Sequence, residues 1–242
     1  MTKPVMHGSS RPSGKTRASQ GTAVNGTSAP GGAPLRLFVF ARHAESAANA
    51  GHVLNTAPSR PVALTERGRA QARAFGAQLA NLPIDLAVCS RLLRTQETVS
   101  IALGGRPVPV VIEPGFDEIR VGDFDGEPIQ AYWDWLGQHT DRDRLPHGES
   151  LDDALRRYAG ALRWLLARPG AVILVVTHDL ALHHIAVAAA PSGPPGPGTD
   201  FANAVPYLFD EHAVQRAAAG LAAPEINGAN GAGRSRSGAA KA

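Results

Sequence analysis

Leu35-Arg36-Leu37-Phe38-Val39-Phe40-Ala41 runs directly into Arg42-His43-Ala44-Glu45. The first stretch reads as a buried strand, and where it stops a cation, an imidazole and a carboxylate lie side by side. Far along the chain Ala171-Val172-Ile173-Leu174-Val175-Val176 reaches Thr177-His178-Asp179 in the same manner. In open α/β sheets ligands sit outside the carboxyl ends of the strands. The two histidines are therefore expected to face one crevice.

Between these strands the chain alternates. Thr65 is the expected N-cap of a helix with Ala70, Ala74, Phe75 and Leu79 at helical spacing, stopped by Pro83. Ile84 to Val88 reads as a second short strand, and Arg91 to Leu103 as a second amphipathic helix closed by Gly104-Gly105. Val108 to Ile112 follows as a strand. Phe116 to His147 is aromatic, acidic and punctuated by Pro and Gly, which predicts an irregular lobe over the site. Ser150 to Arg168 and Leu180 to Ala190 read as helices, Pro191 to Gly198 as a flexible turn, and Asn203 to Asp210 as a final strand that Pro206 confines to a sheet edge. Strands alternating with helices predict an α/β fold with a mainly parallel sheet.

The 242 residues, 43% apolar and 19% charged, suffice for one good core. The net charge of +3 would suit a nucleic-acid or membrane partner if it lay on the folded part. It does not. Residues 1–34 hold Lys3, Arg11, Lys15 and Arg17 with no acid, and residues 213–242 hold Arg216, Arg234, Arg236 and Lys241 against Glu225. The stretch between them is net acidic, so neither nucleic acid nor a membrane is expected as partner. Both ends are rich in Gly, Ser, Ala and Pro, and are expected to be disordered tails (1–34 and 213–242) around a domain over 35–212. No window approaches the roughly 18 apolar residues of a membrane span, and no apolar segment marks secretion. The single cysteine, Cys89, excludes an intramolecular disulfide and suits a reducing cytoplasm.

The assembled groups fit a phosphate. Arginine forks bind its oxygens two at a time, and a helix N-terminus adds N–H donors. Arg42 is one candidate fork; Arg94 is the other, with Arg91 as its neighbour and competitor in the same first helical turn. A neutral His43 can attack phosphorus through a ring nitrogen. A protonated His178 would hold the equatorial oxygens, and a carboxyl such as Glu118 would protonate the leaving oxygen and then activate water. Asp117, Asp123 and Asp125 compete with Glu118 in one acidic segment. This chemistry requires no cofactor and no metal. His183-His184 lies five and six residues beyond His178, which is not ligand spacing on one helical face. Tyr132, Trp133 and Trp135 read as packing of the lobe more than as a stacking platform.

Arg42-His43-Ala44-Glu45-Ser46 with Asn49, Leu64-Thr65-Glu66-Arg67-Gly68, Ser90-x-Leu92-x-Arg94-Thr95, Glu118-x3-Gly122, Gly148-Glu149-Ser150 and His178 follow in order over residues 35–210. In this series the chain resembles the histidine phosphatase superfamily, the phosphoglycerate mutase-like family. The resemblance implies a three-layer α/β/α sandwich around a mixed, mainly parallel sheet. It implies His43 as phosphorylated nucleophile, Arg42, Arg94 and His178 as phosphate pocket, Glu118 as acid/base, and Asn49 near the pocket. Two positions depart from the family's usual pattern. Ala44 stands where glycine is commonest. Asp179 follows the second histidine where glycine is usual, and its carboxylate is expected to point away from phosphate or to alter substrate preference. The expected function is a cytoplasmic, metal-independent phosphatase acting on a small phosphomonoester. A mutase, or an inactive phosphate-site scaffold with Asp179 as the lesion, are the alternatives.

Overall fold

The structure, a computed structural model, describes residues 36–190 and 201–222. Five strands form one sheet: β1 (Leu37–Arg42), β2 (Leu86–Cys89), β3 (Val110–Ile112), β4 (Val172–Thr177) and β5 (Tyr207–Asp210), in the order β3-β2-β4-β1-β5. All neighbours are parallel except β5, which pairs antiparallel with β1 at the edge. Pro206 stands just before β5, where it removes no central ladder hydrogen bond.

Strand side chains alternate between the two faces, and that alternation builds the layers. Phe38, Phe40, Leu86, Val88, Ile173 and Val175 belong to one core. There they meet α5 (Leu151–Leu166), α6 (Asp179–Ala189) and α7 (Glu211–Gly220). Val39, Ala41, Ala87, Cys89, Leu174 and Val176 belong to the other, with α2 (Glu66–Gln78) and α3 (Leu93–Leu103). β4 is buried over its whole length, as a central strand covered on both faces must be. The helices therefore flank a mixed, mainly parallel five-stranded sheet.

Thr65 caps α2 by accepting from the Gly68 N–H, and Gly104 closes α3 in the left-handed conformation at φ 57°. Gly68 lets α2 approach the strand-end loop. A Cβ there would lie 2.0 Å from the Glu45 carbonyl oxygen.

Two expectations need correction. The tail drawn from residue 213 begins too early, because α7 continues to Gly220. Ala213, Val214, Ala217, Ala218 and Leu221 recur at helical spacing and are buried against α5 and α6, a stripe whose small side chains hid it in an Ala-rich stretch. The segment 116–147 is not irregular throughout. It holds α4 (Ile129–Leu136), which buries Tyr132 and packs Trp135 edge-on against Phe124. Trp135 also stacks on His139, whereas Trp133 is exposed. The expected tail over 1–34, the turn over 191–198 and the rest of the C-terminal tail lie outside the described residues. Among the described residues no helix is long and apolar enough to cross a membrane.

Candidate active site

Three adjacent parallel strands, β2, β4 and β1, end together, and each delivers a polar residue to the same place. Ser90 follows β2, His178 follows β4 and His43 follows β1. The backbone of His43 is pinned from three sides. Its N–H donates to the Thr177 carbonyl (2.9 Å) and its carbonyl accepts from Asn203 Nδ2 (2.7 Å). The next N–H, of Ala44, donates to Thr98 Oγ1 (3.0 Å).

The ring is oriented as well. His43 Nδ1 lies 2.7 Å from the Ala44 carbonyl, which only accepts, so Nδ1 carries the proton. Nε2 is then the lone-pair nitrogen, and Arg94 Nε donates to it at 2.9 Å. The same guanidinium donates to Asn55 Oδ1 (2.9 Å) and reaches His178 Nδ1 (3.1 Å). His178 Nδ1 accepts, so its proton is on Nε2, which donates to Ser90 Oγ at 2.8 Å. Arg94 thus ties both imidazoles into one buried array.

Burial, then the Arg94 charge, holds His43 well below the usual histidine range, and the same two causes act in the same order on His178. Both rings are neutral at pH 7. This revises the expectation of a protonated His178, since the guanidinium beside it already supplies the positive charge. Arg94 itself is pushed down to about 10 by burial, which still leaves it charged at neutral pH.

Arg94, not Arg91, occupies the crevice. Arg91 is taken by Asp117, whose carboxylate accepts from the Arg91 backbone N–H (2.9 Å) and Nε (2.8 Å). That also removes Asp117 from the contest for acid/base. Asp125 accepts from Thr56 and Ala57 N–H groups, and Asp123 pairs with His147 far out on the lobe. Glu118 remains. Burial raises the pKa of its carboxyl, against the opposing pull of the Ile119 N–H and of Arg94. A carboxyl shifted upward in this way keeps its proton to a higher pH than a free carboxyl does, which suits a group that must donate one.

Arg42 NH1 donates to the Phe201 carbonyl (3.0 Å) and lies 3.2 Å from Asp179 Oδ1. Its Nε is buried without a hydrogen-bond partner among the described residues. Asp179 therefore points along the rim toward Arg42. Asn49 is engaged locally: its Oδ1 accepts from the Ser46 N–H and Oγ in a capping box at the start of α1 (Ala47–Ala50).

Three participants carried no assigned role in the sequence reading. Asn55, in a loop, left no periodic signal. Ser90 stood inside a quoted motif without a function. Arg157 is one of several charged residues in the helical stretch from Ser150 to Arg168, and nothing in the sequence singles it out. Its guanidinium donates to the carbonyls of Gly115 (3.0 Å), Asp117 (2.8 Å) and Glu118 (3.2 Å) and pairs with Glu149, which also binds Arg120. Glu149 and Arg157 thus fasten the segment that presents Glu118. Gly122 fits the same segment against the 146–148 turn; at φ 59°, a Cβ there would fall 1.9 Å from the Pro146 carbonyl.

Elsewhere, burial pushes the Cys89 thiol up to about 11, which makes it a packing residue. His183 packs edge-on against Phe201. No cluster of three or more potential metal-ligating side chains occurs among the described residues.

Comparisons with known proteins converge on one family. The Yersinia enterocolitica protein named "Probable phosphoglycerate mutase GpmB" is 31% identical over 156 residues, covering 61% of this chain and 71% of that protein. A provisionally assigned alpha-ribazole-5'-P phosphatase of Escherichia coli superposes with a TM-score of 0.61 at 25% identity, over 72% of this chain and 90% of that one. The alpha-ribazole phosphatase of Shigella flexneri gives 0.56 at 26% identity, over 66% and 81%. The profile of the histidine phosphatase superfamily (branch 1) matches residues 38–203. With that match spanning both strand-end histidines and everything between them, the chain belongs to the histidine phosphatase superfamily.

Proposed function

We propose that the protein is a metal-independent phosphatase that hydrolyses a small phosphomonoester through a covalent phosphohistidine at His43. The observation that carries this reading is the commitment of His43 Nδ1 to the Ala44 carbonyl, which leaves the Nε2 lone pair in contact with an arginine that can pass to phosphate. As substrate enters, the Arg94 fork turns from Nε2 to the phosphate oxygens, and the unpartnered Arg42 Nε takes another. His43 Nε2 attacks phosphorus, the P–O bond to the leaving group breaks, and the Glu118 carboxyl gives its proton to the departing oxygen. Water then attacks the phosphohistidine, Glu118 takes its proton, and the N–P bond breaks to release phosphate and neutral His43. The two guanidiniums stabilise the charge that builds on the equatorial oxygens, a task otherwise given to a metal ion. A cytoplasmic location belongs to the same reading, supported by the lone, buried thiol of Cys89.

Phosphoryl transfer of the mutase type is the second reading, favoured by the name of the Yersinia relative. Hydrolysis is favoured by the names of the two solved structures and by the modest lobe, whose one α-helix has eight residues. A mutase must keep water from its phosphoenzyme, which calls for a more extensive cover.

The test is release of phosphate from p-nitrophenyl phosphate with EDTA present. The wild type is expected to turn over and His43→Ala to lose at least about 10⁴-fold in kcat, as loss of a covalent nucleophile does. Equal release by both would refute the mechanism. Labelled phosphate retained on the wild type after acid-free quenching, but absent from His43→Ala, identifies the nucleophile even where turnover is slow.

A further inference from the structure

Ser90, Thr95 and His178 are all fully buried, and their side chains form one chain of hydrogen bonds behind the floor of the crevice. The direction of this chain is fixed atom by atom. Thr95 Oγ1 lies 2.8 Å from the Leu92 carbonyl and 3.2 Å from the Ser90 carbonyl, which only accept, so its proton is committed to them. Toward Ser90 Oγ, 2.9 Å away, Thr95 is therefore the acceptor and Ser90 the donor. The lone pairs of Ser90 Oγ are left to accept from the Leu92 N–H (3.2 Å) and from His178 Nε2 (2.8 Å). The ring proton of His178 is thereby held on Nε2, because the hydrogen bond at one imidazole nitrogen decides what the other carries.

Arg94 meets the same tautomer from the other side of the ring, since its NH2 can only donate to Nδ1 (3.1 Å). The reverse tautomer would set an N–H against the guanidinium and turn the Thr95 lone pairs onto carbonyl oxygens. The three side-chain acceptors of Arg94 are His43 Nε2, Asn55 Oδ1 and His178 Nδ1, all of them uncharged. None is a carboxylate that would neutralise the guanidinium, so its charge remains for the phosphate. That arrangement needs a lone pair on His178 Nδ1.

We infer that Ser90 and Thr95 are positioning residues: a hydroxyl chain anchored on a backbone carbonyl fixes the tautomer of His178, and the Nδ1 lone pair so exposed aims Arg94 at the phosphate. The consequence for turnover rests on the phosphatase reading above, whereas the tautomer does not.

The experiment replaces Thr95, which is hydrogen-bonded to neither imidazole. Thr95→Val keeps the shape and removes the hydroxyl, and Thr95→Ser keeps the hydroxyl. Thr95→Ala removes the hydroxyl without bulk and stands in where Val is not accommodated. Without that acceptor Ser90 turns its proton to His178 Nε2, and the ring proton moves to Nδ1. Nitrogen-15 spectra of the histidine-labelled full chain, assigned against His178→Gln, distinguish a protonated ring nitrogen from one with a lone pair. The wild type and Thr95→Ser should be protonated on Nε2, and Thr95→Val on Nδ1. On p-nitrophenyl phosphate, Thr95→Val should lose about 10- to 100-fold in kcat/KM, the cost of removing an outer partner of a metal-bound imidazole, and Thr95→Ser should stay within about threefold of wild type. A wild type protonated on Nδ1, an unchanged tautomer in both the Val and Ala variants, a changed tautomer with kcat/KM unmoved, or a loss that Thr95→Ser shares overturns the inference. A wild type that hydrolyses nothing defeats the phosphatase reading instead, and the calorimetric affinity for inorganic phosphate then takes the place of kcat/KM. Weaker binding by Thr95→Val, restored in Thr95→Ser, upholds the inference; equal affinities, or no binding, overturn it.

Discussion

His43 is held by the sheet, whereas Glu118 is held by a lobe outside it, and the two attachments rest on different physics. Around His43 the restraints are uncharged hydrogen bonds to the backbone that leaves β1: the Thr177 carbonyl, the Asn203 amide and the Thr98 hydroxyl fix three consecutive polar groups. The first comes with the register of β1 and β4 through Arg42 and Thr177, and the other two come from α3 and from the bridge of Asn203 to Arg42. Around Glu118 the restraints are charged side chains. Arg157 holds three successive backbone regions of the lobe, and Glu149 holds Arg157. The lobe touches the sheet side through the Thr177 hydroxyl, which donates to the Phe116 carbonyl (3.0 Å). The nucleophile is thus placed by architecture and the acid/base by a clamp that single substitutions can open.

The largest effect should come from the one side chain that joins the floor together. Arg94→Ala removes the donor to His43, the link to His178 and a charge on the phosphate, and kcat/KM should fall about 10³-fold at pH 7. The loss should deepen in acid. In the wild type His43 stays neutral well below the ordinary histidine range, so it remains a nucleophile there. Burial is the larger cause and survives the substitution, but removing the cation lets the pKa rise in part. The variant's imidazole is then protonated at a pH where the wild type's is not. A pH–rate profile with an unmoved acid limb would show that Arg94 does not set the charge state of His43.

Glu118→Gln probes the other attachment. Its carboxyl must be protonated to assist departure, and burial raises its pKa, so wild-type turnover of an alkyl phosphate should fall as pH rises through that raised value. The Gln variant should lose that alkaline limb and be slower by about 10²- to 10³-fold. On p-nitrophenyl phosphate, whose leaving group needs little protonation, the deficit in phosphorylation should be much smaller. Equal losses on both substrates would mean that Glu118 acts on something other than the leaving oxygen.

The clamp itself is tested by Arg157→Met. Arg157 is a positioning residue, and removing it leaves the nearly buried Glu149 with only the more exposed Arg120. Breaking a buried pair on one side costs about 3–5 kcal/mol, so thermal unfolding should move down clearly. Activity on an alkyl phosphate should drop about ten- to hundredfold, with the aryl substrate less affected and the alkaline limb displaced. That pattern copies Glu118→Gln in kind, which a general loss of stability would not. Arg157→Lys keeps a charge on Glu149 without the planar fork, and should restore more stability than activity.

The same contrast explains what could be read in the sequence. The floor was legible because it hangs on strand ends: two apolar runs ending in His43 and His178 placed the crevice, and the first turn after β2 narrowed its guanidinium to Arg94 or Arg91. The lobe was legible only as composition. α4 was missed because an eight-residue helix between turns offers barely two turns of periodicity, and α7 because alanines at helical spacing resemble an unstructured Ala-rich tail. Arg157 was passed over because a guanidinium on the polar face of an amphipathic helix has the same sequence signature whether it meets water or three carbonyls. Choosing between Arg91 and Arg94, or among four acids, needed the pairing of Arg91 with Asp117, which no spacing rule contains.

The smallest effect belongs to an exposed side chain of the 146–148 turn, which takes no part in the clamp of Arg157 and Glu149. His147 adopts φ 54°, a left-handed conformation, and its imidazole pairs with Asp123 while both side chains are largely exposed. The conformation costs a residue with a Cβ about 1–2 kcal/mol, and an exposed pair returns about 0–1 kcal/mol. Glycine adopts that φ freely but gives up more chain entropy on folding, which takes back part of the gain. His147→Gly should therefore stabilise the fold by about 0.5 kcal/mol and leave turnover of alkyl and aryl phosphates within about twofold of wild type. A clear loss of stability would mean that the Asp123 contact outweighs the backbone strain. A loss of alkyl phosphate turnover alone would mean that the hold on Glu118 extends past Arg157 and Glu149 to the His147 side chain, and that the lobe works as one unit.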